Sequence, residues 1–223
     1  GIGTYIKAST ESHESVGDRV NDALRVDASR LRCRVIGEGG NLGLTQLGRI
    51  EFSRRGGLCH TDAIDNSAGV DTSDHEVNIK ILLGAAVEAH EIDMDERNTL
   101  LEAMTEEVAL LVLRNNYAQT QALALAVDRA PSLIHHHSRA MRQLERSYGL
   151  DRELEHLPGD EEIAERISRG QGLTRPELAV LLAHSKISTY QILLESDVPE
   201  DPFLGEDLQR YFPQALSPRF DRF

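Results

Sequence analysis

The chain has 223 residues, with 24 Lys plus Arg against 37 Asp plus Glu and a formal net charge of −13. That length buries a real core, in one domain or two smaller ones, and 40% hydrophobic with 27% charged residues excludes a disordered chain. So acidic a balance argues against nucleic acid as a partner, because phosphate contacts need a clustered basic face.

No apolar run approaches the roughly 20 residues that span a bilayer, so no membrane partner is expected. Cys33 and Cys59 are the only cysteines, too few for a disulfide scaffold or a zinc cluster. With no signal-peptide pattern at the start, a reducing cytoplasm is the expected compartment. Aromatics make up 4% and Trp is absent, so the core must be mostly Leu, Val, Ile and Ala, which suits helices. Gly1-Ile2-Gly3-Thr4 opens inside a glycine turn and Arg219–Phe223 ends on an apolar residue. Both ends read as cuts through a longer polypeptide.

In chain order, Leu31-Arg32-Cys33-Arg34-Val35-Ile36 alternates and then turns apolar, which predicts a strand with Cys33 buried in its middle. It runs into the glycine-rich turn Gly37-Glu38-Gly39-Gly40-Asn41-Leu42-Gly43, after which no helix is evident. A second short segment, Ala63-Ile64-Asp65, follows Gly56-Gly57 and leads into Asn66-Ser67-Ala68-Gly69-Val70. Thr72 or Ser73 can then cap a helix from about Asp74 to His90. Strand, glycine turn, strand, glycine turn, helix is the pattern of the back half of an α/β domain.

Near residue 93 the composition shifts to Leu, Ala, Glu and Arg at helical spacing. Asp93–Glu96 fits a capping box. A long apolar stretch runs from Thr105 through Val127 and ends at Pro131. Ile134, His137, Met141, Leu144 and Tyr148 mark one helical face, with Gly149 as the C-cap. A short helix is expected near Asp160–Ser168. Thr174-Arg175-Pro176-Glu177 is a strong start for a helix to about Glu195.

The Gly37–Gly43 turn is the first place for chemistry. Glycines after a strand let a backbone approach a ligand, and free N–H groups can meet a phosphate. The spacing is not G-x-G-x-x-G, so this is no pyrophosphate fingerprint. Asn41 can donate and accept at once, which suits a ribose or a carboxamide. The second place is Asn66 with the small residues after it, which leave room for a flat ring, and Ser73, placed to hold a carboxylate. Read from the residues alone, a structural turn and a simple helix cap are the commoner explanations of both segments. His135, His136 and His137 diverge by about 100° each on a helix and cannot share one metal from one face. No metal site is expected.

The chain resembles a known family in Gly1–Ser9, Gly17-Asp18-Arg19, Gly37–Gln46, Thr61–Glu76, Leu150–Glu155, Leu173–Ala179 and Tyr211-Phe212-Pro213. These strings are similar to those of the large bacterial NAD-specific glutamate dehydrogenases, across essentially the whole chain. The resemblance implies oxidative deamination of L-glutamate to 2-oxoglutarate and ammonium, with hydride passing to NAD.

Smaller glutamate dehydrogenases carry Glu-Gly-Ala-Asn where this chain has Glu38-Gly39-Gly40-Asn41, and Asn-Ala-Gly-Gly-Val where it has Asn66–Val70. By that likeness Gly39, Gly40, Asn41 and Asn66 would bind the nicotinamide and its ribose, and Ser73 would touch the side-chain carboxylate of glutamate. The departures at Ser67 and Asp71-Thr72 bear on Ser73 more than on the asparagines. The family's catalytic lysine and aspartate would lie upstream of Gly1, leaving this chain without catalytic residues of its own and inactive alone.

The implied fold is α/β, a partial Rossmann-like nucleotide-binding half over 1–92, followed by an all-α helical domain over 93–223, in an enzyme that is a homo-oligomer at full length. Two other readings stay open. One is a helical interaction or regulatory module without catalysis; the other is a dehydrogenase for a different amino acid.

Overall fold

The computed structural model describes residues 3–217 and 219–220. They are mostly helical, with a small parallel β element. In chain order the elements are β1 (Ile6–Lys7), α1 (His13–Val16), β2 (Val26–Asp27), α2 (Gln46–Arg54), α3 (Asp62–Asp65), α4 (Ser67–Glu88), α5 (Met94–Ala103), α6 (Thr105–Asp128), α7 (Ala130–Tyr148), α8 (Asp160–Ser168), α9 (Arg175–Leu194) and α10 (Gly205–Tyr211). Among the described residues no helix is long and apolar enough to cross a membrane.

The chain folds as two compact units, one of Gly1–Asn66 with Gln119–Gln191, the other of Ser67–Ala118 with Ile192–Phe223. The compositional change near residue 93 falls inside the second unit, in the turn between α4 and α5.

In the first unit β1 pairs with β2 in parallel, Ile6 opposite Val26 and Lys7 opposite Asp27. Leu44 bridges Ile6 in parallel, with Thr45 N–H donating to the Ile6 carbonyl at 2.9 Å. Thr45 then caps α2 by accepting from Gly48 N–H at 3.0 Å. A helix therefore does follow the glycine turn, contrary to the sequence expectation; Thr45 supplies the start signal. Glycine suits position 48, because a Cβ there would crowd Thr45 Oγ1 at 2.9 Å and the Lys7 backbone at 3.1 and 3.2 Å, where α2 crosses β1. Phe52, Cys59 and Ala28 close a small core, with Ile6, Leu31 and Ile36 against it.

The larger core of this unit joins Ile64, Leu123, Ile134, Met141, Leu144, Ile163 and Leu178, among others. The helix signals here operate as predicted. Gly149 takes φ 72 at the end of α7 and donates to the Leu144 carbonyl. Thr174 N–H and Oγ1 both donate to Glu177 Oε2, at 2.6 and 2.7 Å, closing the box that starts α9. Glu177 is buried and also holds Arg166 of α8 through two bonds, 2.9 and 2.6 Å. Of the three consecutive histidines, His135 and His136 are exposed and His137 is turned partly inward. Burial, and then the neighbouring His136, lowers the His137 pKa.

In the second unit Ile79, Leu83, Ala86, Ile92, Met104, Leu216 and Phe220 form the core. Asp93 caps α5 by accepting from Glu96 N–H at 2.8 Å.

Three further expectations need correction. Leu31–Ile36 forms no strand: only Val35 bridges, to Leu58, through Ile36 N–H to Leu58 O and Leu58 N–H to Arg34 O, each 2.9 Å. A strand needs a partner along its length, and here one residue provides it. Arg32 through Val35 are exposed, so Cys33 is exposed rather than buried.

Ala63-Ile64-Asp65 is a helical turn, with Asp65 N–H on Thr61 O at 3.1 Å and Asn66 N–H on Asp62 O at 2.8 Å. Three residues with one buried side chain fit either period. Finally, α4 begins at Ser67, so Ser73 lies in its second turn and is exposed instead of capping. The Thr72 hydroxyl likewise bonds back to the Ala68 carbonyl at 2.8 Å, within the helix.

Removing one partner of a buried, hydrogen-bonded ion pair costs about 3–5 kcal/mol where it strands the other charge, and less here, because Arg166 keeps Glu162 Oε1 at 2.7 Å. Glu177→Ala should therefore loosen α8 and the start of α9. The check is peptide-level hydrogen exchange, where protection of both segments should fall; unchanged protection would mean the pair contributes little.

Candidate functional site

Asn41 and Asn66, 25 positions apart, meet: Asn66 Nδ2 donates to Asn41 Oδ1 at 2.8 Å. Within this pair Asn41 Nδ2 and Asn66 Oδ1 take no part in the bond, which leaves one donor and one acceptor. Gly39 and Gly40 are exposed beside them, and a Cβ built on either would meet nothing within 4 Å. The protein itself does not demand glycine there, so the open space is available to a ligand. Ser73, on α4, belongs to the second compact unit and is exposed.

The convergence of the asparagines is built from charged residues that the sequence reading did not single out. Glu38 is 5% exposed and Arg49 6%. Arg49 Nε donates to Glu38 Oε2 at 2.6 Å and its Nη2 to Oε1 at 2.9 Å, a two-pronged pair linking the turn to α2. Leu44 N–H adds a third bond to Glu38 Oε1 at 3.2 Å. Asp62 Oδ1 lies 3.3 Å from Arg49 Nη2. Burial works against the Arg49 charge, but the hydrogen bonds and charge of Glu38, with the charge of Asp62, outweigh it and hold the guanidinium above its ordinary pKa.

The two acids of α3 hold the turn from both sides. Asp65 Oδ2 accepts from Glu38 N–H at 3.0 Å, and Asp62 Oδ2 from Leu42 N–H at 2.8 Å. Ile64 between them is buried in the main core and anchors the helical turn. Asp65 Oδ1 also contacts His60 Nδ1 at 2.9 Å, and His60 Nε2 faces Arg175 Nη1 at 3.3 Å. Burial pushes Asp65 up, but hydrogen bonds from His60 and from Glu38 N–H overcome it and hold the carboxyl below its ordinary pKa.

Two backbone N–H groups that could meet a phosphate are already taken by carboxylates, and those carboxylates would repel one. Beside these two carboxylates the turn carries the amide side chain of Asn41, bonded to that of Asn66. Burial pushes the Cys59 thiol up to about 12, so it is no nucleophile at neutral pH.

Comparison with known proteins gives the family. Residues 1–126 match the family model described as bacterial NAD-glutamate dehydrogenase, catalytic domain. The chain belongs to the bacterial NAD-glutamate dehydrogenase family. Residues 170–222 match the model for the glutamate dehydrogenase C-terminal region.

Among curated relatives, the NAD-specific glutamate dehydrogenase of Pseudomonas aeruginosa is 56% identical over 220 residues, that of Mycobacterium tuberculosis 52% and that of Halomonas elongata 50%. Each match covers 99% of this chain and 14% of the relative, so the chain spans about one seventh of the length of these family members.

The lowered pKa of Asp65 has a measurable consequence. A carboxyl with a folded pKa below its unfolded value of about 3.9 stabilises fully above that value, and the contribution is lost as pH falls through the folded pKa. The stability difference between the protein and its Asp65→Asn variant should be constant at neutral pH and shrink below about pH 4. Urea unfolding across that range checks it, and a difference that stays constant into acid would contradict it.

Proposed function

We propose that this chain supplies the nicotinamide side of the coenzyme site in a glutamate dehydrogenase that oxidatively deaminates L-glutamate to 2-oxoglutarate and ammonium. The observation that carries the reading is the Asn41–Asn66 contact beside open glycines. A nicotinamide carboxamide needs one acceptor and one donor in its own plane, and Asn66 Oδ1 and Asn41 Nδ2 are complementary to it. Gly39 and Gly40 leave room for the ring and its ribose. NAD, when bound, accepts the hydride that leaves the glutamate α-carbon.

The chain's own residues bind and orient. The amides fix the rotation of the carboxamide, and through it the face of the ring turned toward substrate. The Glu38–Arg49 pair keeps them in place without reorganisation during the reaction. Ser73 is the chain's candidate contact to the glutamate side-chain carboxylate.

In this reading 1–92 is the C-terminal part of a Rossmann-like nucleotide-binding domain, of which β1, β2 and the two isolated bridges are the parallel β component. Residues 93–223 belong to a helical region of a cytoplasmic, homo-oligomeric enzyme.

The test is steady-state kinetics of the full-length protein. Asn41→Ala and Asn66→Ala should each raise KM for NAD by roughly 5- to 30-fold, the loss of one desolvated neutral hydrogen bond with its partner left unpaired. KM values for NAD that stay unchanged in both variants would overturn the assignment.

A further inference from the structure

Leu42 has φ 64, one of three non-glycine residues with positive φ among the described residues, and it is 59% exposed. The left-handed region is unfavourable for a side chain with a Cβ, and an exposed leucine gains no burial there to offset it. Something else holds it, the side chain of Asp62. Leu42 N–H is bonded to Asp62 Oδ2 at 2.8 Å, while the other oxygen of Asp62 faces Arg49 Nη2 at 3.3 Å. Asp62 is thus fixed by the buried guanidinium and in turn fixes the residue immediately after Asn41. Asn66 N–H donates to the Asp62 carbonyl at 2.8 Å, so the same residue also anchors the second amide.

We infer that Asp62 is a positioning residue for the coenzyme site: it touches neither substrate nor NAD, but it holds Leu42 in the left-handed conformation that turns the Asn41 side chain toward Asn66. The inference rests on the reading of the two asparagines as nicotinamide ligands. Without the carboxylate, Leu42 relaxes toward extended backbone, the peptide between Asn41 and Leu42 rotates, and the amide leaves its partner. The defect belongs to backbone conformation, so a residue that accepts positive φ freely should relieve it.

The experiment uses the full-length protein and measures KM separately for NAD and for glutamate. Asp62→Ala should raise KM for NAD by roughly tenfold or more, as displacement of a binding group does, with KM for glutamate little changed. Asp62→Asn keeps an acceptor oxygen and should recover most of the affinity. Adding Leu42→Gly to Asp62→Ala should recover part of it, which a general loss of structure would not allow.

A second series avoids any folding defect in Asp62→Ala, because the Leu42 side chain is exposed. KM for NAD should rise from Leu42→Gly or Leu42 to Leu42→Ile, whose branched Cβ resists the left-handed region most. Asn41→Ala runs in parallel. If it raises KM for NAD while the Asp62 variants and the Leu42 series do not, the positioning role is wrong and the ligand assignment stands. If none of them moves KM for NAD, both fall. Equal rises in the two KM values without relief by Leu42→Gly would also overturn the positioning role.

Discussion

The buried pair of Glu38 and Arg49 is the constraint on which the candidate site depends. A carboxylate placed in a glycine-rich turn would ordinarily face water, since removing it costs several kcal/mol without compensation. Here its two oxygens receive three bonds, two from one guanidinium and one from Leu44 N–H. Arg49 has its own second partners in Asp62 and Gln46. With both charges satisfied, the turn is drawn down onto α2. The chain after it is stitched to β1, where Tyr5 and Ile6 N–H both reach the Gly43 carbonyl, at 2.9 and 3.2 Å. A turn of four glycines in seven residues, a sequence with high conformational entropy, is thereby held in one shape.

The local charge pattern follows from the same pair. Arg49 attracts Asp62, and Asp62 with Asp65 lies one helical turn apart on α3. Their carboxylates consume N–H groups that a glycine-rich turn might offer to an anion. Beside them Asn41 and Asn66 meet through their amide groups, the contact on which the coenzyme-site proposal rests. The glycines serve openness above the turn more than any need for positive φ, since the left-handed residue here is Leu42 and none of the turn's glycines.

Much of the helical half is legible in the sequence because its signals are local. Thr174 and Glu177 find each other across three residues, Gly149 ends α7 by its own backbone freedom, and Asp93 caps α5. The β component is less legible because a strand is a relation between segments. The alternation of Leu31–Ile36 puts Leu31, Cys33 and Val35 on one face, yet only Leu31 and Ile36 pack inward, and nothing in the pattern says that Leu58 alone would pair with the segment. The start of α4 is missed for a related reason: Thr72 and Ser73 look like caps, yet a hydroxyl can equally return to a carbonyl four residues back, as Thr72 does. For the site, the asparagines are visible through their motifs. The charges that bring them together are not, because Glu and Arg are read by default as solvated; the acid–x–x–acid spacing of Asp62 and Asp65 before Asn66 is the one available hint.

The account's central claim is that two amides distant in sequence converge on one redox ring. The most direct measurement is the structure of the full-length protein with NADH and 2-oxoglutarate bound. The nicotinamide carboxamide should lie within hydrogen-bonding distance, about 3 Å, of both Asn41 and Asn66, with the Asn41–Asn66 bond opened or shared. A nicotinamide bound elsewhere, with the two asparagines still bonded only to each other, would contradict the account.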